Sequence, residues 1–254
     1  MEDLNVYTIL ILVLFGFLAA FIDSVVGGGG LISIPALLFT GLPPATAIAT
    51  NKLASTMGSL TSTITFVKSG KVNFRLVSKL FPIVFVGSIL GAWMVRYVPN
   101  EILKPLIIVL LIVVAIYTIF KKDWGSTSTY QKLSLIKVSI FAIVMFIIGF
   151  YDGFFGAGTG SFILFAFLLI GFDFIQSAGN AKFLNFGSNI AALILFIIIG
   201  EVNFYYGIPM GISMIIGAIV GSHFAIKKGA KYVRFLFILV TLFLISKIAL
   251  DYLM

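Results

Sequence analysis

Seven long apolar runs constrain this chain more than any other feature: 6–24, 80–98, 102–120, 135–151, 181–199, 204–226 and 234–250. A helix of about 20 such residues crosses a hydrocarbon core of about 30 Å. Lipid offers the backbone no hydrogen-bond partner, so each run must satisfy its own amides and carbonyls as a helix. The expected fold class is therefore an all-α integral membrane protein, a polytopic helical bundle. Composition agrees, because 61% of the 254 residues are hydrophobic and only 10% are charged, whereas a soluble domain is about a quarter charged. A single membrane domain spanning 1–254 is expected. The N-terminus opens with Glu2 and Asp3 and has no basic region, so the run at 6–22 reads as a first membrane segment and not a signal peptide.

Three runs are shorter. The stretch 52–67 falls slightly below full length, and 31–41 and 158–171 fall well below it. Eleven helical residues rise only about 17 Å, so these last two read as interrupted or re-entrant half-helices. Glycines 27–30 and Pro35 flank one, and Gly156, Gly158 and Gly160 flank the other. Irregular backbone at membrane depth survives only under protein or beside a watery cavity.

The chain also repeats itself. A shift of 130 residues lays Gly41 on Gly171, Lys52 on Lys182, Phe66 on Phe196, Gly87 on Gly217, Ile89 on Ile219 and Gly91 on Gly221. The same shift lays GKVNF at 70–74 on GEVNF at 200–204, and a one-residue gap upstream lays Asp23 on Asp152 and Gly27 on Gly156. Repeat 1 covers about 6–121 and repeat 2 about 135–251. Of the 17 basic residues, 12 fall in the loops 68–79, 121–137 and 227–234, which places those loops in the cytoplasm. The loop around Glu201 has no base and is expected outside, as are loop 96–104 and both termini. Since Glu201 is the counterpart of cytoplasmic Lys71, the two repeats are expected to be inverted. Inverted repeats with broken helices are a pattern of secondary transporters, which bind substrate near the midplane.

The formal charge of +8 does not point to nucleic acid, because it is spread over short loops between apolar runs. Cysteine is absent and His223 is the single histidine, which leaves no thiolate chemistry and no ordinary metal site. No nucleophile–base pair is recognisable, so an enzyme is not expected, and no cofactor is implied. The glycine runs lack a P-loop lysine. They suit close helix packing through small residues and, compatibly, backbone N–H groups turned toward an anion. On that second reading Gly28, Gly29, Gly158 and Thr159 are candidate binding positions.

The segments 41–52 and 177–182 each place an amide and a lysine at the start of a long apolar helix: Asn51 with Lys52, and Asn180 with Lys182. An intramembrane lysine is expensive and functional by default, although a lysine at a membrane face can instead snorkel to water. Asn185 and Asn189 follow Lys182 at helical spacing, and Thr50, Asn51, Ser55 and Thr56 form a comparable patch in the first half. These residues suit anion binding or, more plainly, interhelical hydrogen bonding. Asp23 and Asp152 read as coupling acids or lysine partners, or else as caps of the glycine loops. His223 reads as a packed, hydrogen-bonded side chain.

Four stretches resemble one family. They are DSVVGGGGLISIP at 23–35, ATAIATNK at 45–52, DGFFGAGTGS at 152–161 and AGNAKFLNFGSN at 178–189. Together they resemble the TauE/SafE sulfite exporters, also called the 4-toluene sulfonate uptake permease family, over essentially the whole chain. The resemblance implies a multi-pass plasma-membrane permease for a sulfur-containing anion such as sulfite, a sulfonate or sulfoacetate. The expected partners are that anion, the lipid bilayer and a coupling H+ or Na+. The residues alone leave open a carrier of small carboxylates or other oxyanions, a passive anion channel and a membrane scaffold.

Overall fold

The computed structural model describes residues 6–103, 105, 106, 109, 112, 128–131 and 134–228. Among them it contains eight long or short helices and no strand: α1 (Val6–Val26), α2 (Gly30–Leu38), α3 (Pro44–Lys68), α4 (Phe74–Val95), α5 (Leu135–Phe154), α6 (Thr159–Leu169), α7 (Phe174–Ile198) and α8 (Phe204–Lys228). Residues 100–103 are also helical. Five helices, α1, α4, α5, α7 and α8, are long and apolar enough to cross a membrane. Most of the expected span 102–120, all of 234–250, and most of loops 121–137 and 227–234 lie outside the described residues.

The breaks fall where glycine permits them. α1 ends at Gly27 and Gly28, with φ of 79° and 92°, and α5 gives way to α6 through Gly156 and Gly158, with φ of 87° and 81°. These left-handed conformations strain any residue with a Cβ. The half-helices α2 and α6 then run for 9 and 11 residues, as their lengths in the sequence suggested.

The repeated Gly-x-Val-Asn-Phe motif has a structural explanation. Gly70 (φ 66°) and Gly200 (φ 77°) terminate α3 and α7. The following amides, of Lys71 and Glu201, bond back to the carbonyls of Phe66 and Phe196, both at 3.0 Å. That is the Schellman pattern of helix termination. Asn73 and Asn203 then cap the next helices, accepting from the amides of Leu76 at 3.3 Å and Tyr206 at 3.1 Å.

α3 and α7 begin earlier than the apolar runs indicated, at Pro44 and Phe174 instead of 52 and 181. Their first turns carry Thr46, Thr50 and Asn51, and Gln176, Ser177 and Asn180, which depress hydropathy. Thr50, Asn51, Ser177 and Asn180 are nonetheless buried. The lysines are corrected accordingly: Lys52 and Lys182 are each the ninth residue of a 25-residue helix, two turns inside and not at a tip.

The helices pack in corresponding pairs. α1 lies along α8 and α4 lies along α5, while α3 packs on α7 and α8, and α7 also contacts α4. Gly217 and Gly221 of α8 rest on the backbone of Phe17 and Phe21 in α1, and Gly87 and Gly91 of α4 rest on that of Phe146 and Phe150 in α5. A Cβ at any of the four would meet backbone, so these glycines set how closely the helices approach.

Candidate functional site

The two glycine breaks meet in the middle of the bundle. A Cβ on Gly27 would run into Gly160 and Ser161, and one on Gly30 would sit 2.9 Å from the Cα of Ala157. The Ser161 hydroxyl donates to the carbonyl of Val26 at 2.9 Å and ties the breaks together. Each break leaves an aspartate just before it. Asp23 accepts the Gly29 amide on Oδ1 at 3.1 Å, which closes the loop in the manner of a cap.

Lysines arrive from the two polar helices. The Lys182 ammonium lies 2.6 Å from Asp23 Oδ2, and the Lys52 ammonium lies 3.0 Å from Asp152 Oδ2. Both lysines and Asp152 are 1% exposed, and Asp23 is 21% exposed. The snorkelling reading is therefore excluded. Each lysine is paired with the aspartate of the other repeat. Lys52 also donates to Asn189 Oδ1 at 3.3 Å. Asp152 Oδ2 touches the Lys52 ammonium without hydrogen-bond alignment, so that contact is ionic and less directed than its counterpart. Glycine makes room for both ammoniums: a Cβ on Gly156 would lie 2.7 Å from Lys52 Nζ, and one on Gly160 would lie 3.2 Å from Lys182 Nζ.

The two carboxylates border a small polar cavity, whose lining does not include Lys52 or Lys182 themselves. Asp23, Asp152, Gly29, Asn51, Asn185 and Asn189 line it, with Ser55, Ser59, Gly30, Gly156 and Gly160, against an apolar side of Ala19, Ala20, Gly58 and Met214. The Asn51 side-chain oxygen Oδ1 accepts from Ser33 at 2.6 Å and Ser55 at 3.3 Å. The Asn189 side-chain Nδ2 donates to the backbone carbonyl of Asn185 at 2.8 Å. The arrangement sets amide and hydroxyl groups on the cavity wall, with the two ammoniums held one ion pair away by its carboxylates.

The structure does not bring every candidate here. Thr50 accepts the backbone amide of Asn203 at 3.0 Å, and Asn180 accepts that of Asn73 at 2.7 Å. The two side chains hold the starts of α8 and α4. They occupy equivalent positions and bond reciprocally between repeats. Gly28, Gly158 and Thr159 shape the breaks, with the Thr159 hydroxyl turned to the Gly156 carbonyl at 3.1 Å; none of the three lines the cavity. His223 bonds the Ile219 carbonyl through Nδ1 at 2.8 Å but is exposed on α8, so it is not the packed residue expected. No group of three potential metal ligands occurs among the described residues.

Ser59, Gly30 and Gly160 were not among the sequence candidates. The serine had a usable signal: Ser55 and Ser59 are the 130-residue counterparts of Asn185 and Asn189. The four occupy one register on α3 and α7.

A family model described as "Sulfite exporter TauE/SafE" matches residues 12–248. A "Probable membrane transporter protein ORF9" from Sinorhizobium is 37% identical over 252 residues, 99% of this chain and 96% of the relative. A "Probable membrane transporter protein" from Haemophilus influenzae is 36% identical, over 98% of this chain and 97% of the relative. The "Probable membrane transporter protein YfcA" of Escherichia coli K12 is 37% identical, over 92% and 87%. No solved structure matches the chain.

Proposed function

This chain belongs to the sulfite exporter TauE/SafE family, a family of membrane transporters, and on that premise we propose that it carries a small sulfur-containing anion across the plasma membrane by alternating access. The supporting observation is a polar cavity walled by Asp23 and Asp152, the two carboxylates that hold the buried ammoniums of Lys182 and Lys52. Sulfite, a sulfonate or a sulfoacetate-like anion offers oxygens to ammonium and amide donors alike. The two repeats, inverted in the membrane, would present this cavity to each side in turn. Mutual packing of the two glycine breaks favours a carrier over an open channel.

Small carboxylates are a second reading, favoured by the fact that both lysines already pair with carboxylates. The test is thermal stabilisation of the purified protein by sulfite, methanesulfonate, sulfoacetate, acetate and phosphate, followed by exchange of the best binder in proteoliposomes. Stabilisation and exchange by the sulfur anions is the expected result. Preference for acetate would move the cargo to carboxylates, and no response to any anion would remove the transporter reading of this site.

A further inference from the structure

We infer that the anion enters this site together with a proton, and that Asp23 is the group that receives it. The inference rests on the transporter reading above and adds the coupling ion. The site holds two ammoniums and two carboxylates in crossed pairs, Lys52 with Asp152 and Lys182 with Asp23, and is therefore neutral as a whole. An anion added to it would be an uncompensated charge in a poorly hydrated interior, which is costly. One proton on a carboxylate restores neutrality and releases a lysine at the same time. The proton joins Asp23 Oδ2, the bond to Lys182 is given up, and the ammonium, still charged, turns to the anion. No other bond changes.

Geometry selects Asp23. Both aspartates line the cavity, but Asp23 is 21% exposed whereas Asp152 is 1% exposed. The charged groups around Asp23 are Lys182 on α7, Lys52 on α3 and Asp152 at the end of α5. The helices α2 and α6 carry no titratable side chain. Those of α8 lie in its first turn and its last two turns, away from the cavity. The Tyr151 hydroxyl is committed to the Ala157 carbonyl at 2.7 Å. Sodium is a poorer fit, because Asp23 Oδ2 and Asp152 Oδ2 each face an ammonium that a metal cation would have to displace.

The experiment uses the full chain in detergent with methanesulfonate, whose charge does not change between pH 6 and 8. A pH-sensitive dye in weak buffer reads proton uptake as the anion is added. About one proton per bound anion is expected, with the apparent Kd rising about tenfold for each unit of rising pH. In Asp23→Asn, where a neutral side chain replaces the protonated acid, proton uptake should be lost and the pH profile should flatten, whatever affinity remains. Exchange of sodium for choline should change nothing. Wild-type binding with no proton uptake and a flat profile, or binding that requires sodium, would overturn the inference and leave the transporter reading in place. The wild-type measurement decides this even if the variant does not fold. Absence of binding by any anion in the panel would remove both.

Discussion

The ammonium of Lys52 lies 3.0 Å from the carboxylate of Asp152, although its own repeat supplies an aspartate at position 23. Asp23 instead takes the lysine of the second repeat, Lys182. Each half of the chain thus carries one member of each ion pair, and each buried lysine takes its contact carboxylate from the other half. The pairs join the halves at the point where both helical breaks cross.

Removing a lysine should therefore cost stability as well as binding. Lys52→Gln leaves Asp152 charged and buried, a loss of about 3–5 kcal/mol. The double variant Lys52→Gln/Asp152→Asn should recover most of that loss while anion affinity stays abolished. Lys182→Gln should be milder, because the more exposed Asp23 retains some water. Thermal melts and anion titrations of the four proteins separate the two effects. Equal stability of Lys52→Gln and wild type would show the pair to be energetically idle.

Gly156→Ala places a Cβ 2.7 Å from Lys52 Nζ at a φ of +87°. It should displace the ammonium and weaken anion binding by roughly tenfold or more, the equivalent of about 1.4 kcal/mol. Gly200→Ala is the matching control, because it has a similar left-handed backbone, with φ of +77°, a Cβ there would meet nothing within 4 Å, and it does not line the cavity. Titrations that do not distinguish these two variants would detach Gly156 from the site.

Thr50→Val and Asn180→Leu each orphan a backbone amide, of Asn203 and Asn73 respectively. A loss of about 1–3 kcal/mol is expected for each, with unchanged anion affinity in the protein that remains folded. A large affinity loss at full stability would return both residues to the binding set.

The inverted orientation expected of the two halves is tested by labelling. The chain has no native cysteine, so Ser69→Cys and Glu201→Cys can be probed singly in intact cells with a membrane-impermeant reagent. Labelling at 201 and protection at 69 are expected. The opposite pattern would reverse the topology.

What the sequence determined by itself was the class of solvent and the grammar of the chain. Apolar runs demand helices, glycines with no Cβ mark the breaks at 27–28 and 156–158, and the GxVNF repeat encodes a helix stop followed by a cap. Those are local instructions, legible because each acts within a few residues. The boundaries of α3 and α7 were not legible. Burial of Thr50, Asn51, Ser177 and Asn180 in the bundle lets polar first turns remain helical, and hydropathy records only their polarity. The identity of the charged partners was also beyond it. The sequence placed Asp23 and Lys52 in one repeat and Asp152 and Lys182 in the other, but only packing decides which pairs form. α3 and α7 lie against each other, and the breaks after α1 and α5 cross beside them, so a lysine on α7 reaches the acid of α1 and a lysine on α3 reaches the acid of α5. Tertiary structure likewise separated Thr50 and Asn180, which serve backbone amides, from Asn51, Asn185 and Asn189, which face the cavity. Neighbouring polar residues on one helix point to different sides, and only the positions of the surrounding helices determine which side holds the site.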